Sequence, residues 1–184
     1  MIHRTLALAA VSLSLLTASA YAADLTLPAE EVAVVDEAGF DWARPYVGAS
    51  VSGEFSTDDS GDYFGGGVFA GVNFLASEGF LLGIEGSADI VTDGDVSYAE
   101  LFVFGRAGVI LTPNVLVYGI AGAGYEFDID YPDANDTAYQ LGAGIEVAVA
   151  EDITVRGQLT GYGYFEGDDL FDYARATVGV AFHF

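Results

Sequence analysis

Past residue 44 the chain has three arginines, Arg106, Arg156 and Arg175, and no lysine anywhere. They stand among Glu54, Glu85, Glu100, Glu126 and Glu146, in stretches where every second residue tends to be apolar. If alternate residues share a face, guanidiniums and carboxylates share one, and that face must pair them, hold cations or do acid-base work. Ionised groups left unpaired away from water cost several kcal/mol each, so pairing is the first expectation. Glu146 lies shortly before Glu151 and Arg156 shortly after Asp152, so the two should nearly face each other across a hairpin. Glu85 and Arg106 fall at a similar depth on neighbouring segments. The spacing therefore predicts one network of Glu85, Arg106, Glu146 and Arg156, acting either as structural filling or as a gate.

Other constellations are less complete. Glu54, Asp89, Glu100 and Glu126 would meet Arg175 alone, and crowded carboxylates take up protons or collect cations. Asp128, Asp130 and Asp133 supply oxygen ligands of the kind calcium prefers, without the full pattern of an EF-hand loop, and a solvated acidic surface is the competing reading. Beyond His3 the only histidine is His183, one residue from the end, which leaves serine-type or general-base catalysis without a base in reach. It is expected to fill space at the rim. Paired aspartates leave some acid-base chemistry open. The glycine runs at 65–67 and 119–124 lie inside strand-like segments with no helix following, which argues against a phosphate cradle. A net charge of −23, from 28 acids against 5 basic residues, excludes nucleic-acid binding, and no cofactor motif is present.

The elements that must position these residues follow from the period. Hydrophobic residues make up 52% of the chain, yet no apolar run after the N-terminus approaches the roughly 20 residues of a membrane helix. Period-2 segments are predicted at 45–56, 63–75, 80–91, 98–111, 115–127, 138–150, 153–165 and 173–184. The breaks at 76–79, 112–114 and 151–152 are tight, and the others are longer and rich in Asp and Gly. Such asymmetry marks an outer-membrane barrel with its tight turns in the periplasm. The sense of the alternation agrees. Leu101, Val103, Ala107, Val109 and Leu111 oppose Glu100, Arg106 and Gly108, so charge and glycine share the face that a narrow lumen needs. About 12 residues at ~3.3 Å each, tilted by roughly 40°, rise about 30 Å, which covers an apolar band of about 25 Å. Aromatic girdles are expected from Phe74, Phe80, Phe182 and Phe184 at the turn end, and from Phe55, Phe64, Tyr125, Phe127, Tyr139 and Phe165 at the loop end. The fold class is all-β: an eight-stranded antiparallel up-and-down transmembrane β-barrel of the outer membrane.

Three segments are expected. Residues 1–22 form a signal peptide, with His3 and Arg4, an apolar stretch from Leu6 to Leu16, and Ala20-Tyr21-Ala22 as the cleavage site. Residues 23–44 form an acidic, loosely ordered periplasmic leader, and residues 45–184 the barrel. With no cysteine there is neither a disulfide framework nor a lipoprotein anchor.

Several stretches resemble a family. Ala22-Ala23-Asp24, the acidic leader, Asp41-Trp42-Ala43-Arg44-Pro45-Tyr46-Val47-Gly48-Ala49 and Gly142-Ala143-Gly144-Ile145-Glu146 are similar to the porin-family outer-membrane immunogenic proteins of alphaproteobacteria, which are OmpA-like eight-stranded barrels. Thr177, Gly179, Phe182 and Phe184 resemble the terminal assembly signal of such proteins. The resemblance implies the barrel-assembly machinery as a partner, besides outer-membrane lipids and lipopolysaccharide. A monomer is expected, with a structural and surface role in envelope integrity. A small or gated pore for ions is the alternative, and a lipid-modifying enzyme ranks third.

Overall fold

A computed structural model of the chain describes residues 39–56, 62–94, 97–128, 135–166 and 170–184. Eight strands run in order: β1 (Pro45–Ser56), β2 (Asp62–Ser77), β3 (Phe80–Thr92), β4 (Ser97–Thr112), β5 (Val115–Asp128), β6 (Asn135–Ala148), β7 (Ile153–Tyr164) and β8 (Tyr173–His183). Each pairs antiparallel with the next, and β1 pairs with β8, so the sheet closes on itself. Among the described residues no helix is long and apolar enough to cross a membrane; the strands are the crossing elements.

Local chemistry sets the ends. Pro45 lacks an N–H and stands at the first position of β1, where a strand tolerates it. Gly79 takes φ +76° in the β2–β3 turn, which L side chains rarely adopt. Tight turns connect β2–β3, β4–β5 and β6–β7 as expected. The largest boundary difference is β6, which starts three residues earlier than its hydrophobic pattern, at Asn135. Its first three residues are polar, yet their backbones still pair with Phe127, Glu126 and Tyr125 of β5. At its other end Val149 and Ala150 bond back to the Ile153 carbonyl, which ends the strand at Ala148.

The core lies inside the ring and the apolar belt outside it. In β4, Leu101 and Val103 are 52% and 64% exposed, whereas Phe102 and Phe104 between them are 2% and 4% exposed. Phe74, Phe80, Phe182 and Phe184 point outward at the turn end, as do Phe55, Phe64, Tyr125, Phe127 and Phe165 at the loop end. Tyr139 is half-buried, stacks near Phe165 and donates its hydroxyl to the Leu170 carbonyl.

Residues 39–44 depart from the loosely ordered leader expected of them. Phe40 donates its N–H to the Pro113 carbonyl in the β4–β5 turn, and Trp42 donates Nε1–H to the same oxygen at 3.1 Å. Trp42 is buried in the core cluster with Leu81 and Leu116. The acidic composition of the leader hid this aromatic pair, whose rings have no apolar surface to cover except the barrel mouth.

Because the outward face must meet hydrocarbon, a charge placed there should cost according to depth. Val103→Arg, midway along β4, is expected to lower unfolding free energy by about 2–4 kcal/mol, and Leu111→Arg at the turn end by about 0–1 kcal/mol. Guanidinium titration in lipid vesicles measures both, and equal costs at the two depths would contradict the assigned membrane face.

Candidate functional site

The inward side chains of β4 include, from loop end to turn end, Glu100, Phe102, Phe104 and Arg106. That order divides the lumen into a charged layer at each end and an aromatic septum between. Phe102 and Phe104 stack at 5.5 Å, and Phe102 meets Tyr162 edge-on at 5.8 Å. Beside them Thr160 bonds Gln140, and Tyr118 donates to Gln158, each at 3.1 Å.

The turn-side layer contains the four predicted residues, all buried. Arg156 grips Glu85 with two bonds, Nη1 to Oε2 at 2.5 Å and Nη2 to Oε1 at 3.0 Å. Arg106 lies between the two carboxylates, 3.3 Å from Glu85 and 2.6 Å from Glu146. Charge alternates and cancels within the layer: two guanidiniums face two carboxylates. Tyr46 on β1 ties in by donating to Glu85 at 2.7 Å and accepting from Arg106 at 2.6 Å. Thr154 donates to Glu146 at 2.7 Å, and His183 places Nε2 3.1 Å from the Thr154 hydroxyl and 3.4 Å from Glu146. Since the Thr154 proton is already given to Glu146, its oxygen accepts from His183 Nε2–H. The guanidiniums also lie on aromatic faces, Arg106 4.0 Å above Tyr118 and Arg156 3.5 Å above Phe69. Gly71 and Gly144 make the room. A side chain at either would collide with the Tyr46 or Tyr118 ring of the neighbouring strand.

The structure adds which residue pairs with which. Glu146 and Arg156 are cross-strand partners as predicted, yet Arg156 bonds Glu85 on β3 and Glu146 is bonded by Arg106 from β4. In a closed ring of eight strands inward side chains converge on the axis, so a long guanidinium meets the far wall. Hairpin geometry alone does not include that wall. Tyr46 and Thr154 were missed as members, although the even-numbered parity of inward residues in β1 and β7 marks both. His183, expected as space-filling at the rim, faces the lumen fully buried, and its Nε2 also contacts Thr154 and Glu146 of the layer.

The loop-side layer has more negative charge. Arg175 on β8 bonds Glu54 on β1 and, at 2.7 Å, Glu100 on β4. Glu126 has no arginine and accepts hydroxyl bonds from Tyr162 at 2.9 Å and Tyr164 at 3.0 Å. Asp89 accepts from Ser87 at 2.8 Å. Above them Tyr63, Tyr98 and Tyr173 line the vestibule. Of the candidate calcium ligands, Asp130 and Asp133 lie outside the described residues. Asp128 ends β5, and among the described residues no group of three or more acids or histidines is arranged to hold a metal ion.

The terminal residues divide by face. Thr177 and Gly179 point inward, Gly179 against Phe69 and Arg156, while Phe182 and Phe184 are exposed and their rings stack at 6.5 Å.

The sequence matches the family model of the outer membrane protein beta-barrel domain over residues 8–184. The chain belongs to that family. This barrel therefore resides in the outer membrane. It is similar to the N-terminal β-barrel domain of Pseudomonas aeruginosa OprF, with 19% identity over 76% of this chain and 97% of that one, and a TM-score of 0.52. It is also similar to Ail, the attachment invasion locus protein of Yersinia pestis, with 13% identity over 77% and 97% and a TM-score of 0.54. Neisserial surface protein A gives 10% identity over 76% and 97% and a TM-score of 0.50. At these identities the likeness is one of fold. No curated protein matches the sequence.

The balanced layer makes a prediction for this outer-membrane barrel. Arg106→Ala leaves Glu146 buried without its guanidinium, while Glu85 keeps Arg156 and Tyr46. The expected loss is about 3–5 kcal/mol. Arg106→Leu combined with Glu146→Leu removes both charges and is expected to lose much less. Denaturant midpoints by gel mobility, which separates folded from unfolded barrels, compare the two, and an equal loss would show that the pairing is not what holds the layer.

Proposed function

We propose that this outer-membrane barrel is a structural and surface component of the envelope whose lumen is closed to solutes. The observation that carries the reading is continuous filling along the axis. A neutral ion-pair layer, a phenylalanine septum and a second charged layer succeed one another, and Phe40 and Trp42 lie across the periplasmic mouth. Eight strands enclose a space just filled by side chains, which supports a lumen without a standing water column. The pore reading requires such a column, and the enzymatic reading requires a reactive group at a cleft. His183 is buried with its Nε2 engaged to Thr154, which supports a non-catalytic role for it.

The resemblance of Asp41–Ala49 and of the terminal strand supports membership among the small porin-family immunogenic barrels of alphaproteobacteria within the wider family. On this reading the belt of Val103, Leu101 and their neighbours meets lipid and lipopolysaccharide, the barrel works as a monomer, and Thr177, Gly179, Phe182 and Phe184 present the signal read by the assembly machinery. No nucleic acid, metal or cofactor takes part.

Liposome swelling tests the closed lumen. Vesicles carrying the protein are expected to swell in isotonic arabinose no faster than protein-free vesicles, and planar bilayers to show no discrete steps. Reproducible unitary conductance from the parent protein would replace this reading with the pore.

A further inference from the structure

The geometry points to Gly39–Arg44 as a latch that seats only after the barrel has closed and that then slows its opening. The segment begins against the β4–β5 turn and ends at β1, positions nearly opposite one another in the ring, so it crosses the mouth along a diameter. Every seat it uses belongs to a different part of the sheet. Phe40 N–H and Trp42 Nε1–H share the Pro113 carbonyl of the β4–β5 turn. Arg44 reaches the β6–β7 turn, donating to the Asp152 carboxylate at 2.9 Å and to the Glu151 carbonyl at 2.8 Å. Phe40 packs edge-on against the His183 ring near the end of β8, at 4.9 Å.

Two of these parts, the β6–β7 turn and the end of β8, meet beside the seam where the first and last strands pair. The Phe184 N–H bonds the Pro45 carbonyl, and the His183 N–H bonds the Asp152 carbonyl at 2.8 Å. The Arg44 side chain thus passes over the end of β8 and ties the start of β1 to the turn before β7. Until β8 has paired with both β1 and β7, the seat formed by His183 and Asp152 does not exist. A segment whose binding site is built from strands that are far apart in sequence cannot be formed at the rate-limiting step of bringing those strands together. Its contacts should therefore appear in the unfolding rate and not in the folding rate.

The parts of the latch contribute unequally. The Arg44–Asp152 pair is partly solvated and adds little by itself. Trp42, 2% exposed, supplies most of the hold by burying its indole against Leu81 and Leu116. It is also the only tryptophan in the chain, so its emission reports the seating of the latch directly. The proposal goes beyond the closed-lumen reading and does not depend on it, since a conducting barrel could carry the same latch.

The test is refolding of the protein from urea into detergent micelles, followed by two signals. Gel mobility reports barrel closure, and Trp42 emission with acrylamide quenching reports seating. The expected result is a mobility shift first, with blue-shifted, quench-protected emission arriving afterwards. Trp42→Ala and Phe40→Ala, followed by gel mobility, are expected to fold at the parent's rate and to unfold in guanidinium roughly tenfold faster or more. In Phe40→Ala the remaining Trp42 is expected to be quenched more readily than in the parent. Emission that reaches its final value before the mobility shift would overturn the proposal. So would variants that fold more slowly or fail to fold, or an unfolding rate left unchanged.

Discussion

A strand in hydrocarbon has no water to satisfy its edge, so the pairing of β1 with β8 is the constraint on which the remainder of the structure depends. Tyr46 faces His183, and the ladder continues to Ser56 opposite Tyr173. Once that seam exists, parity is imposed on all eight strands: what points in is confined to a narrow lumen, and what points out meets lipid. Ionised side chains and the large rings of Phe102, Phe104, Tyr118 and Tyr162 are then confined to the lumen, while residues such as Val103, Leu101 and Phe182 face outward. The same closure brings residues of β3, β4, β6 and β7 within reach of one another across the axis.

Inside such a lumen charges are tolerated in proportion to how completely they are compensated. The turn-side layer reaches balance with two guanidiniums, two carboxylates and hydroxyl bonds from Tyr46 and Thr154, and the arginine faces rest on aromatic rings. Buried ion pairs of this kind are weak evidence for stability relative to an apolar core. Their value to a small barrel is register: a slip of one residue would turn Arg106 or Glu146 into lipid, which the hydrocarbon opposes strongly. The ion pairs and the apolar belt therefore specify the same alignment from opposite sides of each strand.

Most of the barrel was legible because its signal has the shortest period a chain can carry. The eight segments predicted from alternation all exist, and Arg106, Arg156, Arg175 and their carboxylates face inward as the parity required. The partners of each arginine were not legible. Cross-strand neighbours are a local property, whereas the Arg156–Glu85 contact joins residues on opposite walls and depends on the radius of the closed ring. The polar start of β6 was missed because backbone pairing continues past the point where side chains turn polar. Phe40 and Trp42 escaped for a related reason: their partners, Pro113 and Leu116, are far away in sequence and carry no local mark.

The two charged layers differ in balance as well as in position. Near the turns the buried charges cancel, whereas at the loop end Arg175 pairs with Glu54 and Glu100 only, and Glu126 and Asp89 are held by hydroxyl groups instead. The barrel thus has an electrical polarity along its axis, with its negative pole toward the surrounding medium. A field of that sign concentrates mobile counterions over the loop-end mouth and weakens as ionic strength rises.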